Sequence, residues 1–194
     1  MKQAILIILV AFFVFGCKEK YTPKPKAYFR IDFPKKTYHR LNKDGFPYNF
    51  DIPDYSKIVH DTRNPNQPYW INIVVPANKA VLHLSYYNLK NSKNRKELAE
   101  LMEESRRLAY KHSIKADAID EQIFINPGRK VYGTIYKIKG NAASPYQFFL
   151  TDSTTNFLRG AFYINEVPNI DSLQPVIDFI EPDIIHLIET TNWK

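Results

Sequence analysis

Cysteine is nearly absent from this sequence: Cys17 is the only one among 194 residues, and glycine occurs just six times. A single thiol excludes an intramolecular disulfide. The chain has no Gly-rich phosphate loop, no GxSxG nucleophile motif and no HExxH zinc motif, so enzymes that depend on those motifs are not indicated. Its five histidines are scattered along the chain. We therefore predict no catalytic residue, no metal site and no cofactor.

A long apolar run is also missing. The apolar stretch at residues 4–15 has twelve residues, whereas a membrane-spanning helix needs about 20. This stretch follows Lys2 and ends in Val14-Phe15-Gly16-Cys17, which resembles a lipobox. We therefore predict a lipoprotein signal peptide at residues 1–16 and lipid attachment to Cys17. The alternative is an ordinary secretory signal followed by a chance cysteine.

The formal net charge of +7 is concentrated in one segment. Residues 18–45 carry nine basic and three acidic side chains, whereas residues 46–194 carry 17 of each. A neutral folded part in an exported protein argues against nucleic acid as a partner. The basic segment is either a solvated spacer or is attracted to anionic lipid head groups, at about 1 kcal/mol per cation. Its first part, residues 17–27, alternates proline with lysine and predicts an extended tether.

Seven segments have the composition of β-strands, with alternating hydrophobicity, β-branched and aromatic residues, and Pro or Asn at their ends. These predicted strands are residues 48–52, 69–75, 80–87, 122–125, 130–139, 146–151 and 157–165. Short turn signals separate the last four of them, which predicts antiparallel hairpins.

A first helix is predicted at about residues 94–112, where apolar residues recur at helical spacing. Asn94 and Glu97 have the spacing of a capping box at its start. Asp117 and Asp120 follow the helix, and a helical segment there would place both carboxylates on one side as a candidate acid–base pair. A solvated turn is the alternative for this acidic segment.

A second helix is predicted at residues 172–190, with Asp171 or Ser172 as its cap and a kink at Pro182. The order of strands, helix, strands and helix predicts one α+β domain at residues 28–194. We expect an antiparallel sheet of six to seven strands packed by two main helices. This order is similar to that of PsbP-like domains.

The least ordinary loop runs from Gly140 to Pro145, because its small residues permit close approach by another backbone. A hairpin turn needs the same residues for its own geometry, so both readings stay open. From this loop and nearby polar positions we predict Asn141, Ser144, Asp152 and Arg159 as binding residues.

Long stretches distributed over the mature chain also carry a family likeness. They are PKAYFRIDFP (25–34), LAYKHSIKADAI (108–119), GNAAS (140–144), QFFLTDS (147–153), FLRG (157–160) and residues 168–184. Together they resemble the gliding motility lipoprotein GldD family. The resemblance implies a role in gliding motility and the linked type IX secretion machinery, as a non-enzymatic accessory lipoprotein that binds and stabilises other lipoproteins.

The only functional position that the family likeness transfers is Cys17. After it, Lys18-Glu19-Lys20 contains one acid, whereas the surface-export signal of these bacteria typically has two. We therefore expect a lipid-anchored protein of the cell envelope, on the outer membrane and facing the periplasm.

Two other functions remain open at the level of sequence. One is an envelope hydrolase acting on wall or surface polymer, with Asp117, Asp120, His112 or Asp152 in its site. The other is a carrier of a small apolar ligand in a groove beneath the kinked last helix.

Overall fold

The computed structural model describes residues 30–41, 43–90, 97–167 and 169–194. The predicted signal peptide, Cys17 and the tether lie outside the described residues. Within the described ranges the strands are β1 (Tyr38–Arg40), β2 (Tyr48–Asn49), β3 (Asp51–Pro53), β4 (Lys57–His60), β5 (Ile71–Val75), β6 (Ala80–Asn88), β7 (Ala116–Asn126), β8 (Val131–Gly140), β9 (Tyr146–Thr151), β10 (Asn156–Ile164) and β11 (Asn192–Trp193). The α-helices are α1 (Leu98–Tyr110) and α2 (Ile170–Thr190).

A seven-stranded antiparallel sheet dominates the described part of the chain, in the order β4-β5-β6-β10-β9-β8-β7. Strands β7 to β10 are neighbours in both sequence and space, as the predicted hairpins require. β1 pairs with β3, and β2 pairs with β11, in two small sheets. The predicted α+β architecture, with six to seven strands and two helices, is confirmed.

Alternate residues of each strand point to opposite faces of this sheet. On the first face, side chains such as Leu82 and Phe162 pack with Ile180 and Ile184 of α2 in the larger apolar core. On the second face, a smaller core joins α1 to side chains of β8, β9 and β10. Because a helix covers each side of β9, all six of its residues are buried.

The short strands β1, β4 and β11 are absent from the sequence-based prediction. They have three, four and two residues, which is too short for an alternating pattern to stand out. The predicted strand at residues 48–52 is divided into β2 and β3. Phe50 interrupts it, and its carbonyl accepts a hydrogen bond from the backbone N–H of Leu41 instead.

The prediction that Asp117 and Asp120 share one face of a helical segment is wrong. Both lie in β7, which has eleven residues, and Asp117 occupies a bulge between Ala116 and Ala118. Alanine and acidic residues have low strand propensity, but pairing along the whole length of β8 overrides that local preference.

The start of α1 also differs from the prediction. Glu97 is the N-cap residue and has an extended backbone conformation, whereas a capping box would place it three residues inside the helix. The predicted box is therefore wrong. Its other member, Asn94, lies outside the described residues.

Helix α2 begins two residues earlier than predicted. Its N-cap is Asn169 rather than Asp171 or Ser172, and the helix continues through Pro175 and Pro182. The predicted kink at Pro182 stays a prediction. In the part of the chain that the structure describes, neither α-helix combines the length and apolar character needed to cross a membrane.

Candidate functional site

Polar side chains gather on the second face of the sheet, beside α1. Strand register brings them together: Asn72 is directly opposite His83, and Ser85 is directly opposite Arg159. Directly opposite residues point to the same face of a sheet. We define this surface, the open face, as Asn72, His83, Ser85, Arg159 and Tyr163 of the sheet with His112 of the short 3-10 helix Lys111–Ile114. All six residues are partly exposed.

Arg159 is the cation of the open face. Its Nη2 donates a hydrogen bond of 2.7 Å to Oε1 of Gln147, which is only 2% exposed. Among the described residues, Arg159 forms no ion pair, and Nε2 of Gln147 is buried without a partner. Burial lowers the pKa of the guanidinium, against smaller opposing effects of Tyr163, Tyr87 and Glu104. Arg159 therefore carries a partly buried positive charge whose hydrogen-bond partner is a neutral amide.

Two histidines flank Tyr163 on the same surface. Nδ1 of His83 lies 2.6 Å from Oδ1 of Asn72, and an amide oxygen only accepts, so Nδ1 carries the proton. The His83 and Tyr163 ring centroids are 5.6 Å apart, and those of His112 and Tyr163 are 6.5 Å apart.

Burial lowers the pKa of both histidines. For His83 the cation Arg63 lowers the pKa further and Asp61 opposes it, and Arg159 lowers the pKa of both histidines. Both imidazoles are therefore neutral at pH 7. The open face can bind an anionic group at Arg159 and flat or apolar groups at the surrounding rings.

The loop residues among the predicted binding positions have structural partners. Oδ1 of Asn141 accepts a hydrogen bond of 2.8 Å from the backbone N–H of Ile170, which satisfies a donor in the first turn of α2. Ser144 is fully buried, and its Oγ lies 3.4 Å from the carbonyl oxygen of Tyr146. Both residues precede β9, and they lie apart from Arg159.

Asp152 closes the turn at the other end of β9. Its carboxylate accepts hydrogen bonds from the backbone N–H groups of residues 154–156 and from the side-chain amide of Asn156. Burial alone would raise its pKa, but these bonds lower it. The structure therefore does not bring the four predicted binding residues into one place, and of the four only Arg159 lies on the open face.

The acids of the hydrolase alternative are also dispersed. Asp120 is exposed and pairs at 2.6 Å with Lys139, and its strand position points to the first face. His112 lies over the second face. Asp152 is engaged in its turn. Among the described residues, no three side chains of His, Cys, Asp or Glu come together in a group that could hold a metal ion.

The apolar groove of the carrier alternative is represented by a cavity beneath α2. Its volume is about 30 Å³, and it is lined mainly by Ile73, Val75, Leu82, Phe162, Ile184 and Leu187. Ligand pockets usually have about 300–1,000 Å³. This cavity has the size of roughly one water molecule, so a ligand could enter only if α2 moved away from the sheet.

Asp183 forms a buried polar cluster that the sequence reasoning missed. It is 4% exposed on the apolar side of α2, and it accepts hydrogen bonds from Lys36 Nζ at 2.7 Å, Tyr38 OH at 2.6 Å and Tyr55 OH. Lys36 also donates to the carbonyl of Phe179. Burial raises the pKa of both phenols, as does the bond to Asp183. A lone acid among apolar residues was the available signal, and the role is to tie the first described segment to α2.

Comparisons with known proteins agree on a family and a fold. The family model described as gliding motility lipoprotein GldD matches residues 18–193. Comparison with curated proteins gives no match. Among solved structures, the chain is similar to the solution structure of cyanobacterial PsbP (CyanoP) from Synechocystis sp. PCC 6803, with 8% identity, a TM-score of 0.51 and coverage of 89% of this chain and 100% of that chain. That likeness confirms the predicted PsbP-like fold and shows the fold alone.

Proposed function

Because the chain belongs to the gliding motility lipoprotein GldD family, we propose that it is a non-catalytic accessory protein of gliding motility and linked type IX secretion. It acts by binding and stabilising other lipoproteins of that apparatus. Lipid on Cys17 holds it on the outer membrane, facing the periplasm, and residues 17–27 are the tether between lipid and domain.

The observation that carries this proposal is the open face. Arginine and tyrosine are enriched among the residues that dominate the energy of protein interfaces, and here Arg159 and Tyr163 stand on a rigid sheet. Arg159 has a neutral amide as its hydrogen-bond partner, so a carboxylate from another protein adds a charge-assisted bond. The partner lipoprotein therefore presents an acidic side chain to Arg159.

The positions of the candidate acids favour binding over hydrolysis. A general acid or base must have a carboxyl group free to exchange a proton with the substrate. Asp152 uses its oxygens to hold a turn, and Asp120 is neutralised by Lys139. By strand register Asp120 lies level with Tyr146 at the start of β9, whereas Asp152 follows the end of β9, so these two carboxylates are too far apart to act on the same bond.

Colony spreading of cells that carry single substitutions tests the proposed function. Arg159→Gln removes the charge while retaining an amide that can bond to Gln147, so we expect reduced spreading and a lower abundance of partner lipoproteins. Arg107→Gln, at an exposed position of α1, is the matched control and should behave as wild type. Immunoblots must show equal amounts of each variant.

The hydrolase alternative predicts the reverse pattern. Cells that carry Asp117→Asn or Asp120→Asn should spread normally if the protein acts by binding, because surface carboxylates rarely dominate interface energy. A needed acid or base contributes about 10²–10⁴-fold in rate. If a stably produced Asp120→Asn protein blocks spreading while Arg159→Gln does not, the binding proposal is wrong.

Fatty-acid labelling tests the anchor separately. Cys17→Ala should abolish incorporation of a fatty-acid analogue and leave unprocessed protein. Equal labelling of wild type and variant would remove Cys17 from the proposal.

A further inference from the structure

The two edges of the central sheet are very different. β4 forms one edge with four residues, and β7 forms the other with eleven. An edge strand presents unpaired backbone N–H and C=O groups to any other strand that approaches it, and proteins usually shorten, twist or charge such edges to prevent pairing. β4 follows that rule by being short, whereas β7 is long enough to form an extensive ladder.

The protection of β7 is confined to its first half. There, a bulge at Asp117 and the acids Asp120 and Glu121 discourage pairing. In the second half, Ile123 is 73% exposed and Ile125 is 66% exposed. Both side chains point to the second face, since Ile123 is directly opposite Thr134, which lines a groove beside α1. Exposed isoleucines on an open edge favour burial against another strand.

The charges at the two ends of β7 identify the occupant. Asp117 lies near its start, and Arg129 lies in the turn just after its end. Among the described residues, neither side chain forms an ion pair. By contrast, Asp120 pairs with Lys139 and Glu121 pairs with Arg106. An antiparallel copy of the same strand brings the negative end of one chain beside the positive end of the other.

We propose that β7 pairs antiparallel with β7 of a second copy, around a twofold axis at Ile123. This register places Ile123 against Ile123 of the second copy and brings Asp117 to the end of the second copy's β7, where the following turn carries Arg129. It satisfies the edge backbone groups of both chains and joins the two sheets into one.

This contact leaves the open face available, because that surface lies over β5, β6 and β10. The proposal therefore goes beyond the proposed function and does not use its binding surface. The pairing of β7 and the binding role of the open face can therefore be tested separately, and a negative result for one does not contradict the other.

A cysteine at the twofold axis tests the pairing. Directly opposite residues of antiparallel strands have Cα atoms about 4.5–5.5 Å apart, within the roughly 4.4–6.8 Å that a disulfide spans. Ile123→Cys in the full-length protein, oxidised mildly in native membranes, should give a disulfide-linked homodimer on a non-reducing gel. Ile114→Cys, at a 91% exposed position outside β7, and the wild-type chain should both give only the monomer band on that gel.

A charge swap distinguishes specific pairing from random collision. In the Ile123→Cys background, Asp117→Arg should reduce the homodimer band, and adding Arg129→Asp should restore it. The pairing is overturned if well-produced Ile123→Cys protein gives no homodimer, if Ile114→Cys cross-links equally, or if the charge reversals have no effect. A cross-link from position 123 to a different protein would overturn the second copy as the occupant of this edge.

Discussion

The two faces of the central sheet are built from alternate residues of the same strands, yet they differ in what covers them. The first face is apolar and is sealed by α2, with a remaining cavity of only about 30 Å³. The second face is covered by α1 on one side and is polar and partly exposed over β5, β6 and β10. This difference assigns most of the stability to the first face and leaves the open face free to bind.

A large loss of stability is expected at Asp183. Asp183→Ala removes the acceptor of Lys36, Tyr38 and Tyr55, and losing one member of a buried ion pair costs about 3–5 kcal/mol. Because Lys36 is 29% exposed, we expect the lower end, about 3 kcal/mol. Urea unfolding of the purified protein, followed by circular dichroism, measures this change.

Asp178→Ala is the matched control for that experiment. Asp178 is an exposed acid of the same helix and bonds to Gln174, so its loss should change the free energy of unfolding by about 0.5 kcal/mol or less. Equal effects of the two substitutions would show that the first described segment does not depend on Asp183.

A smaller loss is expected from Gly160→Ala. Gly160 lies on the first face directly opposite Phe148, and a Cβ atom there would come within 2.2 Å of the phenyl ring. Overpacking of this kind costs about 1–3 kcal/mol. Gly128→Ala is the control, because its Cβ would meet nothing closer than 3.7 Å. A neutral Gly160→Ala in the same unfolding assay would mean that the first face has more room than its packing indicates.

Alkaline pH should weaken the first face gradually. Burial raises the pKa of Tyr38 and Tyr55 above the ordinary value near 10. The folded state thus retains phenol protons that the unfolded chain releases, so stability is complete below pH 10 and falls as the pH rises above it. Melting temperatures should show this fall when they are measured from about pH 8 to about pH 11, the range around the ordinary pKa of tyrosine.

Replacing both phenols tests the source of that fall. Tyr38→Phe with Tyr55→Phe should make the melting temperature less sensitive to pH above 10, although the buried Tyr48 and Tyr146, whose pKa values are also raised, retain part of the slope. An unchanged slope would assign the whole effect to those other tyrosines.

Much of this architecture follows from local sequence patterns. The strand at residues 146–151 has the predicted bounds. Its apolar composition indicates where the strand lies, and the turn signals on either side of it indicate where it begins and ends. β7 was recognised only in part, since its acidic first half has no strand pattern and is held by pairing with β8. Its long exposed edge was therefore invisible until the register was known.

The open face could not be predicted as a site, because no local pattern unites its members. His83 and Arg159 are far apart in the sequence and meet only through the pairing of β6 with β10. Arg159 was among the predicted binding residues, but His83, Asn72 and Tyr163 were not. The sequence offered one signal, which is a polar residue at a strand position where the alternating pattern would place an apolar side chain.

The smallest effect on stability is expected on the open face, where adjacent residues of β6 give the sharpest comparison of the two faces. His83→Gln removes a neutral, partly exposed ring but leaves an amide that can still donate to Asn72, so we expect a change of about 0.5 kcal/mol or less. Leu84 is the next residue, points to the first face and is 1% exposed. Leu84→Ala should therefore cost about 2–5 kcal/mol.

Colony spreading should be reduced by His83→Gln even though the protein remains folded, because the ring contact with Tyr163 is lost from the binding surface. If His83→Gln instead destabilises the domain as strongly as Leu84→Ala, the second face is part of the structural core, and the assignment of binding to it is wrong.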